Sequence, residues 1–313
     1  MRRSEAIGLV STAALFPRIA QAQELTTVRL AATPIDSMSP VLFAMRTGLF
    51  EKAGLKIELT MMNSGNVVSA AVVGGAIDIG LSSLVAIIQG HLRGIAFTII
   101  APGGMWIDSD TAGVVVAGSS PIRTARDFNG KTIGTNSLQS LDTVAMDAWV
   151  DQNGGDSKTV HFFELPALAA AAALTQGRID GAILGTPAYA AARADGKGRT
   201  VGRIYDAIAR QFLLGVWFTM AGYVQANRSA AERFSKVVAE ASAYTRTHPE
   251  STIDDVAQIT KLDKDLIAHM PRSWVGTTVA AADIQPVIDT TAKYKFIERG
   301  FPASELISSA AAH

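Results

Sequence analysis

A repeated α/β unit is the feature of this sequence that most restricts its fold. The stretch "GGAIDIGLSS" at 74–83 returns as "GRIDGAILGT" at 177–186, and Asp78 and Asp180 lie 102 positions apart. By hydrophobic periodicity, each stretch closes a run that reads strand, helix, strand, helix, strand. Alternating strands and helices indicate parallel strands joined by right-handed crossovers. The sequence therefore predicts two similar α/β lobes.

The two repeated aspartates stand at the starts of their predicted strands, and this position favours a structural role. A strand rises about 3.3 Å per residue, so the residues that follow place each aspartate about 13 to 17 Å from the end of the strand where loops face a ligand. We therefore interpret Asp78 as a structural residue that hydrogen-bonds a turn. The functional end of its strand is then Ser82 and Ser83.

The order of the patterns also places the lobe boundaries. No Gly/Ser-rich linker separates the two units, so strand-like segments near 115 and 213 are expected to carry the chain between lobes. We predict one helix over "VLFAMRTGLFEKAG", a strand over "LLGVWFTMAGYV" (213–224), and helices after Ser229 that return to the first lobe. The expected division is a signal peptide at 1–22, lobe one at 23–115 and 214–313, and lobe two at 116–213.

The first residues read as an export signal. Arg2 and Arg3 precede an apolar stretch from Ala6 to Phe16, and "AQA" follows at 20–22. This pattern predicts cleavage after Ala22, by either the Sec or the twin-arginine route. The chain has no cysteine, which excludes a disulfide framework and a lipid anchor at the cleavage site. An exported, unanchored protein of this kind fits the periplasm.

Composition and missing motifs exclude several classes of function. Lys+Arg and Asp+Glu both number 28, so no net charge favours nucleic acid, and the mature chain has no apolar run of about 18 residues that would span a membrane. The five histidines are far apart, which argues against a metal site. "NGKT" at 129–132 lacks the upstream glycine of a phosphate-binding loop and is interpreted as a turn. No nucleophile elbow or dinucleotide motif occurs, so we expect no cofactor and no enzyme activity.

Polar loops follow the predicted strands, and none of them contains Lys or Arg. In parallel α/β sheets, ligands bind outside the carboxyl ends of the strands. Loops rich in hydroxyl, amide and glycine residues there predict a pocket for a small polar or anionic group held by neutral donors, although the same Ser and Asn residues could simply cap helices. The loops are "PIDSMSP" (34–40), "NSGN" (63–66), "SS" (82–83), "PGGMW" (102–106), "NSLQSLD" (136–142) and "GTPAY" (185–189).

Aromatic and acidic residues in or beside these loops have two readings each. Trp106, Tyr189 and Trp217 could stack on a ligand or could pack in a core. Asp36 and Asp142 could repel an anion or accept a hydrogen bond from an amine or ring N–H. For Asp142 we favour a helix N-cap.

The stretches "SPVLFAMRTGLFEKAGLKIEL", "GGAIDIGLSS", "TARDFNGKTIG" and "LTQGRIDGAILGTPAY" together resemble the substrate-binding proteins of ABC importers for nitrate, sulfonates, taurine and thiamine-pyrimidine precursors. The resemblance runs over about residues 28 to 250. It implies an α/β, two-lobe periplasmic-binding-protein fold of type II, which is flytrap-like, with two crossover strands. A fungal enzyme of the same fold uses a Cys-rich motif, which this chain lacks.

The resemblance also implies a function and a set of contacts. A monomer would bind a small-molecule ligand, such as a sulfonate, nitrate, aromatic acid or pyrimidine, between its lobes and deliver it to an ABC permease in the inner membrane. The contacts that it implies are Ser37, Met38, Ser64, Asn66, Ser82, Ser83, Ser137, Gln139, Ser140 and Thr186. Trp106 and Trp217, which lie in or beside the polar loops, complete the set of expected ligand contacts.

Two alternatives stay open on the same fold. A periplasmic enzyme would turn over its ligand and would depend on Asp36, Asp142 or His161. A receptor that reports its ligand to a membrane sensor would keep the cleft without a permease partner.

Overall fold

The computed structural model describes residues 25–107 and 110–311, so the predicted signal peptide and its cleavage site lie outside the described residues. Strands and helices alternate along the chain. The strands are β1 (Thr26–Ala32), β2 (Leu55–Met61), β3 (Ile79–Ser83), β4 (Phe97–Pro102), β5 (Gly104–Trp106), β6 (Ala112–Ala117), β7 (Thr132–Thr135), β8 (His161–Glu164), β9 (Gly181–Gly185), β10 (Gly198–Gly202), β11 (Phe212–Leu213), β12 (Gly215–Met220) and β13 (Trp274–Val275). The helices are α1 (Ser39–Arg46), α2 (Leu49–Lys52), α3 (Gly65–Val73), α4 (Leu84–Leu92), α5 (Leu141–Gln152), α6 (Ala170–Thr175), α7 (Ala188–Arg193), α8 (Ala221–Ala226), α9 (Arg228–Thr247), α10 (Ile253–Thr260), α11 (Lys264–His269) and α12 (Gln285–Lys293).

The strands form two five-stranded sheets of matching design. One sheet has the order β2-β1-β3-β12-β4 and the other β10-β6-β9-β7-β8. In each, the three strands of the repeated unit pair in parallel, β1 with β2 and β3, and β7 with β8 and β9. Strands β12 and β6 pair antiparallel beside them. The prediction of two similar α/β lobes is confirmed.

The chain passes between the lobes twice, at neighbouring places. The first passage follows β5 and the second lies between β11 and β12, and β11 pairs with β5 in a small third sheet, β11-β5-β13. Where the passages meet, the Gly103 N–H donates to the Gly215 carbonyl at 3.0 Å. The predicted first boundary at 115 falls inside β6, which already pairs with lobe two from Ala112. Lobe two therefore begins earlier than the sequence suggested.

Two predicted elements differ from the structure. The single helix expected over "VLFAMRTGLFEKAG" is divided into α1 and α2 by Gly48, whose left-handed φ of 71° interrupts helical geometry. The strand expected to continue to residue 224 ends at Met220, and α8 begins at Ala221. A short apolar run does not distinguish strand from helix by periodicity, which explains this second error.

Asp78 and Asp180 perform the same structural task in the two lobes. An Asp78 side-chain oxygen accepts from the Arg29 backbone N–H at 2.8 Å, and an Asp180 oxygen accepts from the Thr132 backbone N–H at 2.9 Å. Each aspartate thus ties the third strand of its unit to the first. The structural interpretation of Asp78 is confirmed, but its partner is a neighbouring strand and not a turn.

The long helix α9 and the C-terminal segment cover lobe one. In the core under α9, Phe234 packs against Phe50 and edge-on against Trp217. Further along, Ser308 donates its N–H to the Ile99 carbonyl at 2.9 Å, which brings the end of the chain beside β4. Helix α12 packs on α4 of lobe one and also contacts α5 of lobe two. The C-terminal region therefore braces lobe one and borders lobe two.

Candidate ligand-binding site

A cavity of about 360 Å³ lies between the two lobes. Its walls include the residues at and just after the carboxyl ends of β1, β2, β3, β7, β8 and β9, together with the crossings at β5 and β12. Both sheets therefore direct the ligand-facing ends of their parallel strands at one space, as the rule for open α/β sheets requires. The lobe-one and crossing residues include Thr33, Ser37, Asn63, Asn66, Leu81, Ser82, Ser83, Met105 and Leu214, and the lobe-two residues include Asn136, Ser137, Ser140, Leu141, Asp142, Leu168, Ile183, Thr186 and Tyr205.

The structure brings seven of the twelve predicted contact residues to this cavity. They are Ser37, Asn66, Ser82, Ser83, Ser137, Ser140 and Thr186. Ser82 also has a structural task, because its hydroxyl donates to the Gly65 carbonyl at 3.0 Å. That bond holds the beginning of α3 against the end of β3.

Three of the other predicted contacts do not line the cavity for local reasons. Ser64 is the N-cap of α3, and its side chain accepts from the Val67 N–H at 3.5 Å. Met38 is completely buried in the lobe-one core. Gln139 is exposed and has a left-handed φ of 54°. The alternative of helix capping therefore holds for Ser64.

The two tryptophans stand behind the cavity and not in its wall. The Trp106 ring N–H donates to Asp206 at 2.9 Å, and the ring packs edge-on against Tyr205 at 5.2 Å. Trp217 is buried against Phe234 under α9. The third aromatic residue, Tyr189, is also fully buried. Core packing is therefore the reading that the structure gives for all three rings.

Asp142 and Tyr205 are the titratable side chains among the described lining residues, which include no Lys, Arg or His. The N-cap of α5 is Ser140, so Asp142 lies in the first turn and the predicted N-cap role is wrong. Its carboxylate accepts from the Tyr205 hydroxyl at 2.6 Å and from the Thr135 hydroxyl at 3.3 Å. Burial raises the pKa of Asp142 above its usual 3.8, and the two hydroxyls offset only part of that effect.

The pKa of Tyr205 is also raised well above its usual value, because the phenol is buried and stands beside the Asp142 carboxyl. Tyr205 therefore stays protonated and acts as a donor toward Asp142. No pattern in the sequence points to Tyr205, because it lies in a short 3-10 turn, far along the chain from the polar loops that follow the predicted strands.

A second missed residue, Ser273, reaches the cavity from the C-terminal region. Asp36, which is 1% exposed, holds this segment in place: its carboxylate accepts from Arg272 Nε at 2.8 Å and from the Ser273 N–H at 2.6 Å. The Ser273 hydroxyl lies 3.0 Å from the Thr186 hydroxyl of lobe two. Asp36 is therefore a support for the cavity and not a ligand contact.

The two lobes also touch directly across the cleft. Asn66 Nδ2 donates to Ser137 Oγ at 2.6 Å, and the Asp36 N–H donates to the Thr186 carbonyl at 3.3 Å. The first bond joins the loop after β2 to the loop after β7, and the second joins the loop after β1 to the loop after β9. The lobes are therefore in contact, as in a closed form, and the cavity lies between them.

Asn66→Ala is expected to shift the protein toward an open form without unfolding it. A hydrogen bond of this kind contributes about 0.5 to 1.5 kcal/mol, so the ratio of closed to open molecules should fall about 2- to 10-fold. Small-angle X-ray scattering of ligand-free protein would show a larger radius of gyration. Val67→Ala, on the exposed face of the same helix, serves as the control. Identical scattering from both variants would mean that Asn66 does not hold the lobes together.

Within the described ranges, no group of three or more His, Asp or Glu side chains is placed to hold a metal ion. In the same part of the chain, no helix is both long and apolar enough to cross a membrane. The groups that line the cleft are hydroxyls, amides, apolar side chains and one carboxyl.

Known proteins share both the sequence pattern and the architecture of this chain. The sequence matches the family model described as NMT1/THI5 like over residues 36–252. No curated protein matches the sequence closely enough to count as a relative.

Solved structures share the fold at low sequence identity. The periplasmic aliphatic sulphonate binding protein SsuA from Escherichia coli is 21% identical, with a TM-score of 0.73 and coverage of 92% of this chain and 93% of that one. The alkanesulfonate-binding protein SsuA from Xanthomonas axonopodis pv. citri, bound to MOPS, is 18% identical, with a TM-score of 0.76 and coverage of 91% and 99%. The desulfurization enzyme DSZB is 12% identical, with a TM-score of 0.66 and coverage of 90% and 96%.

The resemblance seen in the sequence is thus confirmed in both family and fold. Two of these three structures are binding proteins and one is an enzyme, so the fold is compatible with both kinds of function. The family model spans more than two thirds of the 313 residues. The protein belongs to the NMT1/THI5-like family and has the two-lobe fold of the periplasmic binding proteins.

Proposed function

We propose that this protein is a periplasmic solute-binding protein that encloses a small organic molecule between its lobes and delivers it to an ABC importer. The observation that carries the proposal is the cavity between the lobes, whose walls come from both of them. A ligand there contacts both lobes only when they are shut, so binding selects the closed form. The permease then distinguishes loaded from empty protein by that shape.

The cavity limits the size and character of the solute. About 360 Å³ is at the small end of the range of ligand sites, which is roughly 300 to 1,000 Å³. The walls combine apolar side chains, such as Leu81, Leu141 and Ile183, with hydroxyl and amide groups. The solute is therefore a small molecule with an apolar body and at least one hydrogen-bonding end.

Location and partners follow from the same proposal. The export signal predicted at residues 1–22 would take the chain to the periplasm, and the inner-membrane permease would be its protein partner there. A monomer is sufficient for this task, since both walls of the cavity come from one chain.

The test is to purify the mature chain, residues 23–313, and measure its thermal unfolding with a panel of amines, sulfonates, aromatic acids, pyrimidines and nitrate. A ligand present at about 100 times its dissociation constant adds about 2.7 kcal/mol of stability, which raises the melting temperature measurably. Mass spectrometry of the recovered ligand should show it unchanged. If no compound in the panel raises the melting temperature and no small molecule copurifies, the proposal fails.

An enzyme on the same fold is the second candidate, because a buried carboxyl paired with a tyrosine inside a cleft is an arrangement that enzymes also use. Of the three residues considered for this role, Asp142 lines the cavity, Asp36 is bound by Arg272, and His161 is exposed on β8. Conversion of the ligand during incubation would favour this candidate. Permease and ATPase genes beside this one would separate an importer component from a receptor that serves a membrane sensor.

A further inference from the structure

The cleft carries one acidic side chain, although two of the similar structures are those of proteins named for sulfonate binding. Among the described lining residues there is no cationic side chain, and the one acid, Asp142, belongs to the cavity wall. Protein surrounds its carboxyl, yet the residue keeps some accessible surface. The accessible part of Asp142 therefore faces the cavity.

The N-terminus of α5, which lies in the cavity wall, does not offset the negative charge of Asp142. The N-terminus of a helix usually favours an anion, because its N–H groups point outward and the helix dipole is positive there. In α5 that position already holds a carboxyl, since Asp142 is in the first turn. An anionic ligand at this end of the cavity would face a negative charge with no Lys or Arg to balance it.

We infer that the solute carries a cationic or N–H-donating group, such as an amine or amidine, and that the Asp142 carboxylate binds it. The inference rests on the proposed solute-binding function and specifies its ligand class. Each carboxylate oxygen accepts one hydroxyl, from Tyr205 at 2.6 Å and from Thr135 at 3.3 Å. A carboxylate oxygen has room for a second donor, so the ligand N–H groups can bind while both protein bonds persist.

The neighbouring aromatic residues fix the direction of this carboxylate. Tyr205 packs edge-on against Trp106 and against Phe212. Trp106 is itself anchored by its bond to Asp206. Trp106 and Tyr205 are thus positioning residues, which hold the acceptor in place before the ligand arrives and so reduce the entropy lost on binding.

A second polar group in the same wall is available to the ligand. Ser140 is 5% exposed and lines the cavity. Its hydroxyl stands over the first turn of α5 as in a capping box, but it forms no hydrogen bond of normal geometry with any described residue. A buried hydroxyl without a partner is costly, and a ligand acceptor beside the amine or amidine would satisfy it.

The experiment compares probes that share a body and differ in charge. Benzamidine is paired with benzenesulfonate, and hexylamine with hexanesulfonate, and dissociation constants are measured by isothermal titration calorimetry. We expect the cation of at least one pair to bind about 10-fold or more tightly than its sulfonate partner. Any molecule that copurifies with the exported protein is identified by native mass spectrometry and should contain an N–H-bearing group.

Substitutions at Asp142, at its hydroxyl partner Tyr205 and at Asp147 connect this preference to the Asp142 carboxylate. Asp142→Asn keeps the size of the side chain and removes its charge, so it should weaken binding of the cation about 10-fold or more. Tyr205→Phe removes one hydroxyl that orients the carboxylate and should give a smaller loss. Asp147→Asn, on the same helix and outside the cavity wall, is the matched control and should leave the affinity unchanged. Unfolding curves establish that each variant is folded.

The dependence on pH has a definite sign. A protonated Asp142 cannot pair with a cation. The affinity should therefore rise as the pH increases through the pKa of Asp142, which burial raises above its usual 3.8. Asp147 must be separated from this effect, since burial and the nearby Asp151 raise its pKa to about 7. The pH dependence should therefore persist in Asp147→Asn and disappear in Asp142→Asn.

The outcomes separate the inference from the proposed function. Tighter binding of the sulfonates, a copurifying anion without N–H groups, or an unchanged affinity in Asp142→Asn would overturn the inference and leave solute binding intact. If no probe binds, no compound of the wider panel raises the melting temperature and nothing copurifies, both the proposed function and the inference are wrong.

Discussion

Asp36→Ala is expected to lower the free energy of unfolding by about 3 kcal/mol, because removing one partner of a buried ion pair leaves the other charge without compensation. The Asp36 side chain is 2% exposed and that of Arg272 is 16% exposed. Arg272 keeps bonds to the Pro249 carbonyl and the Thr252 hydroxyl, each at 2.7 Å, which places the cost at the lower end of the usual range. The Ser273 N–H also loses its acceptor.

Urea unfolding of the purified protein measures this loss. The control is Glu232→Ala, which removes the exposed pair with Arg228 and should cost less than about 1 kcal/mol. Ligand affinity should also fall in Asp36→Ala, since the segment that carries Ser273 is no longer tied to lobe one. A loss as small as that of the control would show that Asp36 does not hold the segment.

Trp217→Ala is expected to destabilise the protein by about 3 to 5 kcal/mol while the folded fraction keeps its ligand affinity. The ring is 1% exposed and packs against Phe234, so its removal leaves a large cavity in lobe one. Because Trp217 does not line the ligand cavity, the effect should be on stability alone.

Trp274→Ala supplies the comparison, since that ring is 38% exposed and should cost less than about 1 kcal/mol. Urea unfolding gives the stabilities, and calorimetry at low temperature gives the affinities. A weakened affinity in folded Trp217→Ala, without a matching loss of stability, would restore the ligand-contact reading of this residue.

The repeated unit explains why much of the site could be predicted from the sequence. Ser82 lies at the carboxyl end of β3 and Ser137 just after β7, periodicity identifies both strands, and the carboxyl ends of parallel strands meet at one edge of a sheet. Knowing the strands was therefore enough to place these loops at a shared cleft. The symmetry of the two units extends this argument from one lobe to the other.

Residues that depend on distant contacts or on the choice of a face could not be predicted. Ser273 reaches the cavity through a bond to Asp36, 237 positions away, and no local pattern reports such a pairing. Trp217 lies in a strand that is buried on both sides, so alternation does not reveal which side faces the ligand. The loop pattern favours Asp142 as the N-cap, but Ser140 occupies that position. Asp142 lies two residues further along, and its carboxyl meets the Tyr205 hydroxyl.

The contact between Asn66 and Ser137 also gives direct access to the motion of the lobes. The next residue on each side, Val67 and Leu138, is exposed, at 51% and 43%. The sequence contains no cysteine, so thiols introduced at these two positions would be the only ones in the protein. Fluorophores attached there would lie close together in the shut form and separate as the cleft opens. The molecule can therefore be turned into an optical reporter of its own solute without any change to the cavity wall.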